Sequence, residues 1–118
     1  MKYLFLFNGR VEGQAPEPGS DAWMETLHAY QAADAAMAEA GVMIDCAPLQ
    51  PPEAATTVRI RNGETLLTDG PAAEIKEQLG GYALVDCADL DEALKWAATI
   101  PAARDGSVEV RPVLEVSS

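Results

Sequence analysis

The side chain best suited to proton transfer in this sequence is its single histidine, His28. An imidazole gains and loses a proton near neutral pH, which makes it the natural general base if the protein is an enzyme. The surrounding residues predict a helix, on which Glu25 and Asp21 precede His28. Two hypotheses follow: His28 is a catalytic base, or it is a surface histidine paired with one of these carboxylates.

A second group of polar residues surrounds a predicted turn at residues 69–71. Asp69 and Glu74 are the candidate catalytic partners of His28, and Lys76 is a candidate ligand-binding residue. The alternative is structural: Asp69 bonds backbone groups of the turn, and Glu74 favours the positive end of a following helix. No metal is expected, because carboxylates without a companion His or Cys suit only hard cations and their spacing matches no known metal-binding loop.

Three charged residues, Arg59, Arg111 and Glu109, belong to predicted strands that are otherwise apolar. Glu109 and Arg111 are two residues apart, so they lie on the same face of their strand. If that face lines a dimer interior, each charge must be paired or must bind an anion. One hypothesis is an internal Arg–Glu network that fixes the dimer register, and the other is a carboxylate-binding pocket.

The first half of the chain contains the elements that must position His28. Residues 2–8 carry apolar side chains on both faces and predict a strand, which a Gly/Pro-rich loop over residues 9–20 follows. A helix from Ser20 or Asp21 to Gly41 comes next. Its prediction depends on the helical spacing of its large apolar residues, Trp23, Leu27, Tyr30 and Met37. Residues 42–49 predict the second strand.

The middle of the chain contains a hairpin that must position Arg59. The dipeptide Asn62-Gly63 is the strongest short hairpin signal in a sequence, and it joins predicted strands at residues 57–61 and 64–68. A two-residue turn sets Arg61 opposite Glu64 and places Arg59 opposite Leu66. Residues 69–71 then turn the chain into a short predicted helix that runs through Gln78 and ends at Gly80-Gly81.

The last third predicts a strand at residues 82–87, a helix that opens with the capping pattern Asp89 to Glu92, and a strand at residues 108–116. The apolar stripe predicted for that helix consists of Leu90, Ala93, Leu94 and Ala97. This order predicts one α+β domain over residues 1–118, with a ferredoxin-like antiparallel sheet and two helices on one face. Because the strands are apolar on both faces, we expect a second copy to cover the other face and form a homodimer.

Composition excludes several partners. Eight basic residues against 19 acidic ones give a net charge of −11, so nucleic acid and anionic membrane surfaces are not expected partners. The start of the chain lacks a signal-peptide pattern and no apolar run is long enough to span a bilayer, which predicts a cytoplasmic protein. Cys46 and Cys87 are isolated in apolar stretches and are expected to be buried free thiols.

The segment Thr68–Tyr82, with Asp69-Gly70-Pro71-Ala72 near its start, resembles the signature of the DGPF branch of the bacterial YCII-related family. The pieces Leu49–Pro52, Asp91–Ala93 and Val108–Pro112 extend the resemblance over nearly the whole chain. The resemblance implies a dimeric α+β barrel, in which two sheets face each other and enclose a pocket. Ala72 stands where the motif has Phe, so an aromatic side chain that would fill the core or a pocket wall is absent.

The resemblance also implies candidate activities. Some members of the wider group are cofactor-independent lyases that use a His and an Asp, and genes of the DGPF branch often neighbour those of alternative sigma factors. The leading expectation is a homodimer that binds a small polar or anionic molecule between its sheets, without a cofactor. The alternatives are a lyase or isomerase with His28 as its base and Asp69 or Glu74 as partner, or a protein-binding module linked to sigma-factor regulation.

Overall fold

The structure, a computed structural model, describes residues 1–10, 19–72 and 77–116. The described strands are β1 (Lys2–Arg10), β2 (Met43–Pro48), β3 (Thr56–Arg61), β4 (Glu64–Asp69), β5 (Glu77–Asp86) and β6 (Ser107–Pro112). The described helices are α1 (Asp21–Glu39), α2 (Leu90–Ala97) and the short α3 (Ala102–Asp105). A single 3-10 turn over Pro52–Ala54 precedes β3.

Four strands form one antiparallel sheet in the order β2-β5-β1-β6, and β3 and β4 pair separately as a hairpin. The chain enters the hairpin after β2 and returns from it to β5, so the hairpin is an insertion between two neighbouring strands of the main sheet. Without that insertion and the short helix α3, the order is β-α-β-β-α-β. The predicted α+β class is confirmed, and the topology is compatible with a ferredoxin-like fold.

The core lies between one face of the main sheet and the helices. Alternate residues of β1, including Phe5, point into it beside Ala83 and Val85 of β5. Met37 of α1 and Ala97 of α2 close the core from the helix side. Both long helices therefore cover the same face of the sheet, as the sequence predicted.

The other face of the main sheet, which we call the outer face, lies opposite the core and the helices. Leu4 and Leu6 of β1 alternate with the core residues, and the register places them opposite Leu84 and Tyr82 of β5. All four are only half-buried. The centre of the outer face is therefore apolar, as the two-sided strands predicted.

The helices α1 and α2 begin with the capping residues that the sequence predicted. Ser20 caps α1 by accepting a hydrogen bond from the Trp23 amide at 3.2 Å. Asp89 caps α2 by accepting one from the Glu92 amide at 2.9 Å, and the Glu92 carboxylate accepts one from the Ala88 amide.

The hairpin turn has the geometry that its dipeptide predicts. Asn62 has φ +53° and Gly63 has φ +78°, the left-handed pair that a type I′ turn requires. The register pairs Arg61 with Glu64 and Arg59 with Leu66, which confirms the prediction.

The predicted short helix through Gln78 is wrong at its C-terminal end. Residues 73–76 lie outside the described part of the chain, but β5 already begins at Glu77 and continues through Gly80-Gly81. A Cβ at position 81 would approach the Ala47 carbonyl oxygen of the neighbouring strand to 3.0 Å. Gly81 therefore permits close strand packing, and the two glycines do not end a helix.

The predicted stripe of α2 is half wrong. Ala93 and Ala97 are buried, but Leu90 and Leu94 are 46% and 47% exposed. The buried face continues instead through Ile100 at the helix end. The short helix α3 was not predicted, and the last strand ends at Pro112, four residues before the predicted end.

Candidate functional site

A cleft of about 660 Å³ separates α1 from one end of the main sheet. Leu27, Tyr30, Gln31 and Asp34 form its helical wall. These positions are spaced i, i+3, i+4 and i+7, so they share one face of α1. The fully buried contact of α1 begins only at Ala33 and Met37, toward its C-terminal end. The earlier turns therefore provide a wall that the sheet does not cover.

The opposite wall is the end of β2 and the segment after it. Cys46, Ala47 and Pro48 belong to the strand, and residues 49–53 continue the wall past its end. The Leu49 amide still donates a hydrogen bond to the Gly80 carbonyl of β5 at 2.8 Å. Proline lacks the amide proton that a ladder needs, so Pro51 and Pro52 cannot continue this pairing. The cleft is open because the chain turns away at this point.

Aromatic rings line the deepest part of the cleft. Phe7 of β1 is buried, and its ring centroid lies 6.0 Å from that of Tyr30, with an interplanar angle of 37°. Tyr30 is half-buried, and burial raises the pKa of its hydroxyl group. Tyr82, which belongs to the outer face, also reaches the cleft. The cleft therefore borders both faces of the sheet.

Asp34 is the charged group on the helical wall. It is half-buried, and burial raises the pKa of its carboxyl group. Neither an ion pair nor a hydrogen bond joins this carboxylate to another side chain among the described residues. Such a carboxylate can bind a cation or accept a hydrogen bond from a ligand.

Cys46 faces Asp34 across the cleft. Burial, followed by the negative charges of Asp34 and Asp45, raises the pKa of the Cys46 thiol. The thiol is therefore protonated at neutral pH and is a poor nucleophile. It gives the cleft a weakly polar wall, and it contributes no activated sulfur.

The YCII-related domain model matches residues 1–117 of the chain. This protein belongs to the YCII-related family. An uncharacterized protein of Rhizobium meliloti (strain 1021) is 52% identical to it over 77 residues, which are 64% of this chain. The matched part spans only 62% of the length of that relative.

None of the predicted site residues that the structure describes lines the cleft of this YCII-related protein. His28 is exposed on α1, on the turn that carries Leu27. Asp69 is exposed at the end of β4, while Glu74 and Lys76 lie outside the described residues. Arg59 is half-buried on the hairpin, where its guanidinium donates a hydrogen bond to the Ala72 carbonyl at 3.3 Å.

The two remaining predicted residues form an ion pair on the outer face. Arg111 pairs with Glu109, and their side chains are 68% and 45% exposed. The register places Arg111 beside Leu4 and Glu109 beside Leu6, on the edge strand β6. Charge therefore borders the apolar centre of the outer face on this side.

Asp34 was missed in the sequence, although a signal for it exists. It follows Leu27 by seven residues and precedes Met37 by three, so it interrupts the apolar stripe of α1. An acidic residue within an apolar stripe is a better indicator of a site than a histidine beside the stripe.

The described residues contain neither a metal-binding cluster nor a membrane-spanning helix. Across residues 1–10, 19–72 and 77–116, no group of three or more His, Cys, Asp or Glu side chains is placed to hold a metal ion. In the same part of the chain, no helix has the length and apolar character needed to cross a membrane.

Proposed function

We propose that this YCII-related protein is a homodimer that binds a small molecule in the cleft between α1 and the end of β2. The observation that supports binding is the cleft itself, which combines a volume of about 660 Å³ with a largely apolar wall and the carboxylate of Asp34, which has no partner among the described side chains. Small-molecule sites in proteins are typically concave, mostly apolar and provided with a few polar groups.

The outer face supports the homodimer. Leu4, Leu6, Tyr82 and Leu84 give it an apolar centre. The Glu109–Arg111 pair borders one side, and on the other side Asp45 accepts a hydrogen bond from the Tyr82 hydroxyl at 3.0 Å. An apolar centre with a polar rim is the usual arrangement of a protein interface. Two such faces, related by a two-fold axis, would bury each other.

Within the family, we assign the chain to the DGPF branch on the residues Asp69-Gly70-Pro71-Ala72. A lyase with His28 as its base would need the imidazole to reach the ligand, and His28 lies outside the cleft. The proposed function is therefore binding, and a sensing or accessory role would follow from it.

The binding proposal can be tested with 2-phenylethanol, a small neutral molecule with an aromatic ring and one polar group. We expect its titration into 15N-labelled protein to shift the backbone amide signals of Tyr30, Gln31 and Ala47. Bound probe should also slow alkylation of Cys46. Cys87 is buried and should not react with the alkylating reagent, whether or not the probe is bound. Shifts confined to residues away from the cleft, or none at all, would exclude the proposed site.

A further inference from the structure

The geometry points to an amphipathic amine as the ligand class: an ammonium group at Asp34 and an apolar body against the rings of Phe7 and Tyr30. This inference rests on the proposed function, because it assumes that the cleft binds a small molecule. The sequence-based expectation was a small polar or anionic molecule, and the inference replaces the anion with a cation.

The first argument is the sign of the charge in the cleft. The charged side chains that line it in the described part of the chain are Asp34 and Glu53, and both are acidic. No Lys, Arg or His whose side chain the structure describes lines it. Among these side chains an anion would gain no cationic partner for the hydration it loses, whereas an ammonium group would meet a carboxylate.

The second argument is the state of Asp34. The carboxylate is half-buried without a described partner, which is unfavourable for the free protein. A bound cation would provide the missing partner and offset this cost. The net charge of −11 acts in the same direction, since it attracts cations toward the molecule at low ionic strength.

The third argument is the character of the remaining wall. Phe7, Tyr30 and Tyr82 supply aromatic rings, and ring faces attract cations. Leu27 and Leu49 add aliphatic surface that a hydrocarbon chain or ring would cover. A hydrated metal ion would leave this surface exposed, so an organic cation fits the cleft better.

Three probes of similar size and different charge test the inference: 2-phenylethylamine (cation), 2-phenylethanol (neutral) and 3-phenylpropanoate (anion). We expect the amine to bind most tightly and the carboxylate most weakly, as measured by amide shifts at neutral pH. The preference for the amine should weaken at high salt, because salt screens the pairing with Asp34.

Asp34→Asn removes the charge and keeps the shape of the side chain. It should weaken binding of the amine roughly tenfold, the loss expected for one hydrogen bond to a charged group, and weaken binding of 2-phenylethanol by a smaller factor, because the Asn carbonyl can still accept a hydrogen bond from the hydroxyl group. The matched control is Glu25→Gln, which removes one negative charge from an exposed position of α1 outside the cleft. It should leave the affinities for all three probes unchanged. Circular dichroism should show that both variants are folded.

The outcomes separate the inference from the proposed function. If 2-phenylethanol shifts the cleft amides but the carboxylate binds as well as the amine, the cleft is a binding site and the amine inference is wrong. The same conclusion follows if Asp34→Asn and Glu25→Gln weaken amine binding equally. If none of the three probes shifts the cleft amides, the proposed function and the inference are both wrong.

Discussion

Leu84→Glu should separate the proposed dimer without unfolding the chain. Leu84 lies at the centre of the outer face, opposite Leu4 on one side and Asp45 on the other. In the monomer the new carboxylate is still partly in water, because position 84 is only half-buried. In the dimer it would be buried within the apolar centre of the outer face, and Arg111 on this face is already paired with Glu109. Burying an unpaired charge costs several kcal/mol, and a symmetric dimer contains two such charges.

At roughly 2 kcal/mol for each carboxylate, the loss is about 4 kcal/mol for each dimer, which raises the dissociation constant about a thousandfold. Sedimentation equilibrium of both proteins over a range of concentrations measures this constant. Leu94→Glu is the matched control, because Leu94 is 47% exposed on α2 and away from the outer face. A wild-type protein that stays monomeric, or a Leu84→Glu dimer as tight as the wild type, would refute the reasoning.

Three predictions concern stability. Burial raises the pKa of Asp34, so the ionised carboxylate destabilises the fold at pH values above that raised pKa. Asp34→Asn should therefore increase the free energy of unfolding at pH 7 by up to about 0.5 kcal/mol. Thermal melts should show this difference shrinking to nothing as the pH falls below 3.8, where both side chains are uncharged; a constant difference would contradict it. The added Cβ of Gly106→Ala would overlap the Asn8 carbonyl oxygen, which should lower the free energy of unfolding in urea by about 2 kcal/mol. The added Cβ of Gly9→Ala contacts nothing within 4 Å, so this control should change the free energy of unfolding little. Equal urea midpoints for the two variants would count against this packing. Ser20→Ala should cost about 1 kcal/mol by removing the cap of α1, and an unchanged midpoint would mean that this cap is not stabilising.

The features that the sequence predicted well are those decided within a few residues. The Asp89–Glu92 capping box closes over four positions, and the Asn62-Gly63 turn fixes the register of its two strands. Their hydrogen bonds form between near neighbours, whatever the rest of the chain does. Local chemistry was therefore enough to place the start of α2 and the pairing of Arg59.

The features that the sequence did not predict depend on contacts between distant segments. Gly80-Gly81 has the composition of a helix end, yet it lies in β5, where Ala47 and Phe7 of the neighbouring strands approach Gly81 closely. Similarly, Leu94 fits an apolar stripe but is exposed, because the core is closed by smaller residues such as Ala93 and Ala97. Sequence periodicity shows which residues can be buried, and packing decides which of them are.

The cleft also depends on packing between distant segments. The packing of α1 makes the cleft a better candidate site than the predicted turn. A helix that served only to cover the sheet would bury apolar residues along its whole length, but α1 buries Ala33 and Met37 and leaves Leu27 and Tyr30 half-exposed. Asp34 lies between these two groups and is desolvated without a described partner. Exposed apolar surface and an unpaired carboxylate both weaken the fold of the free protein. A bound molecule with an apolar body and a cationic group would remove both costs at once, so this part of α1 is understood most simply as a binding surface.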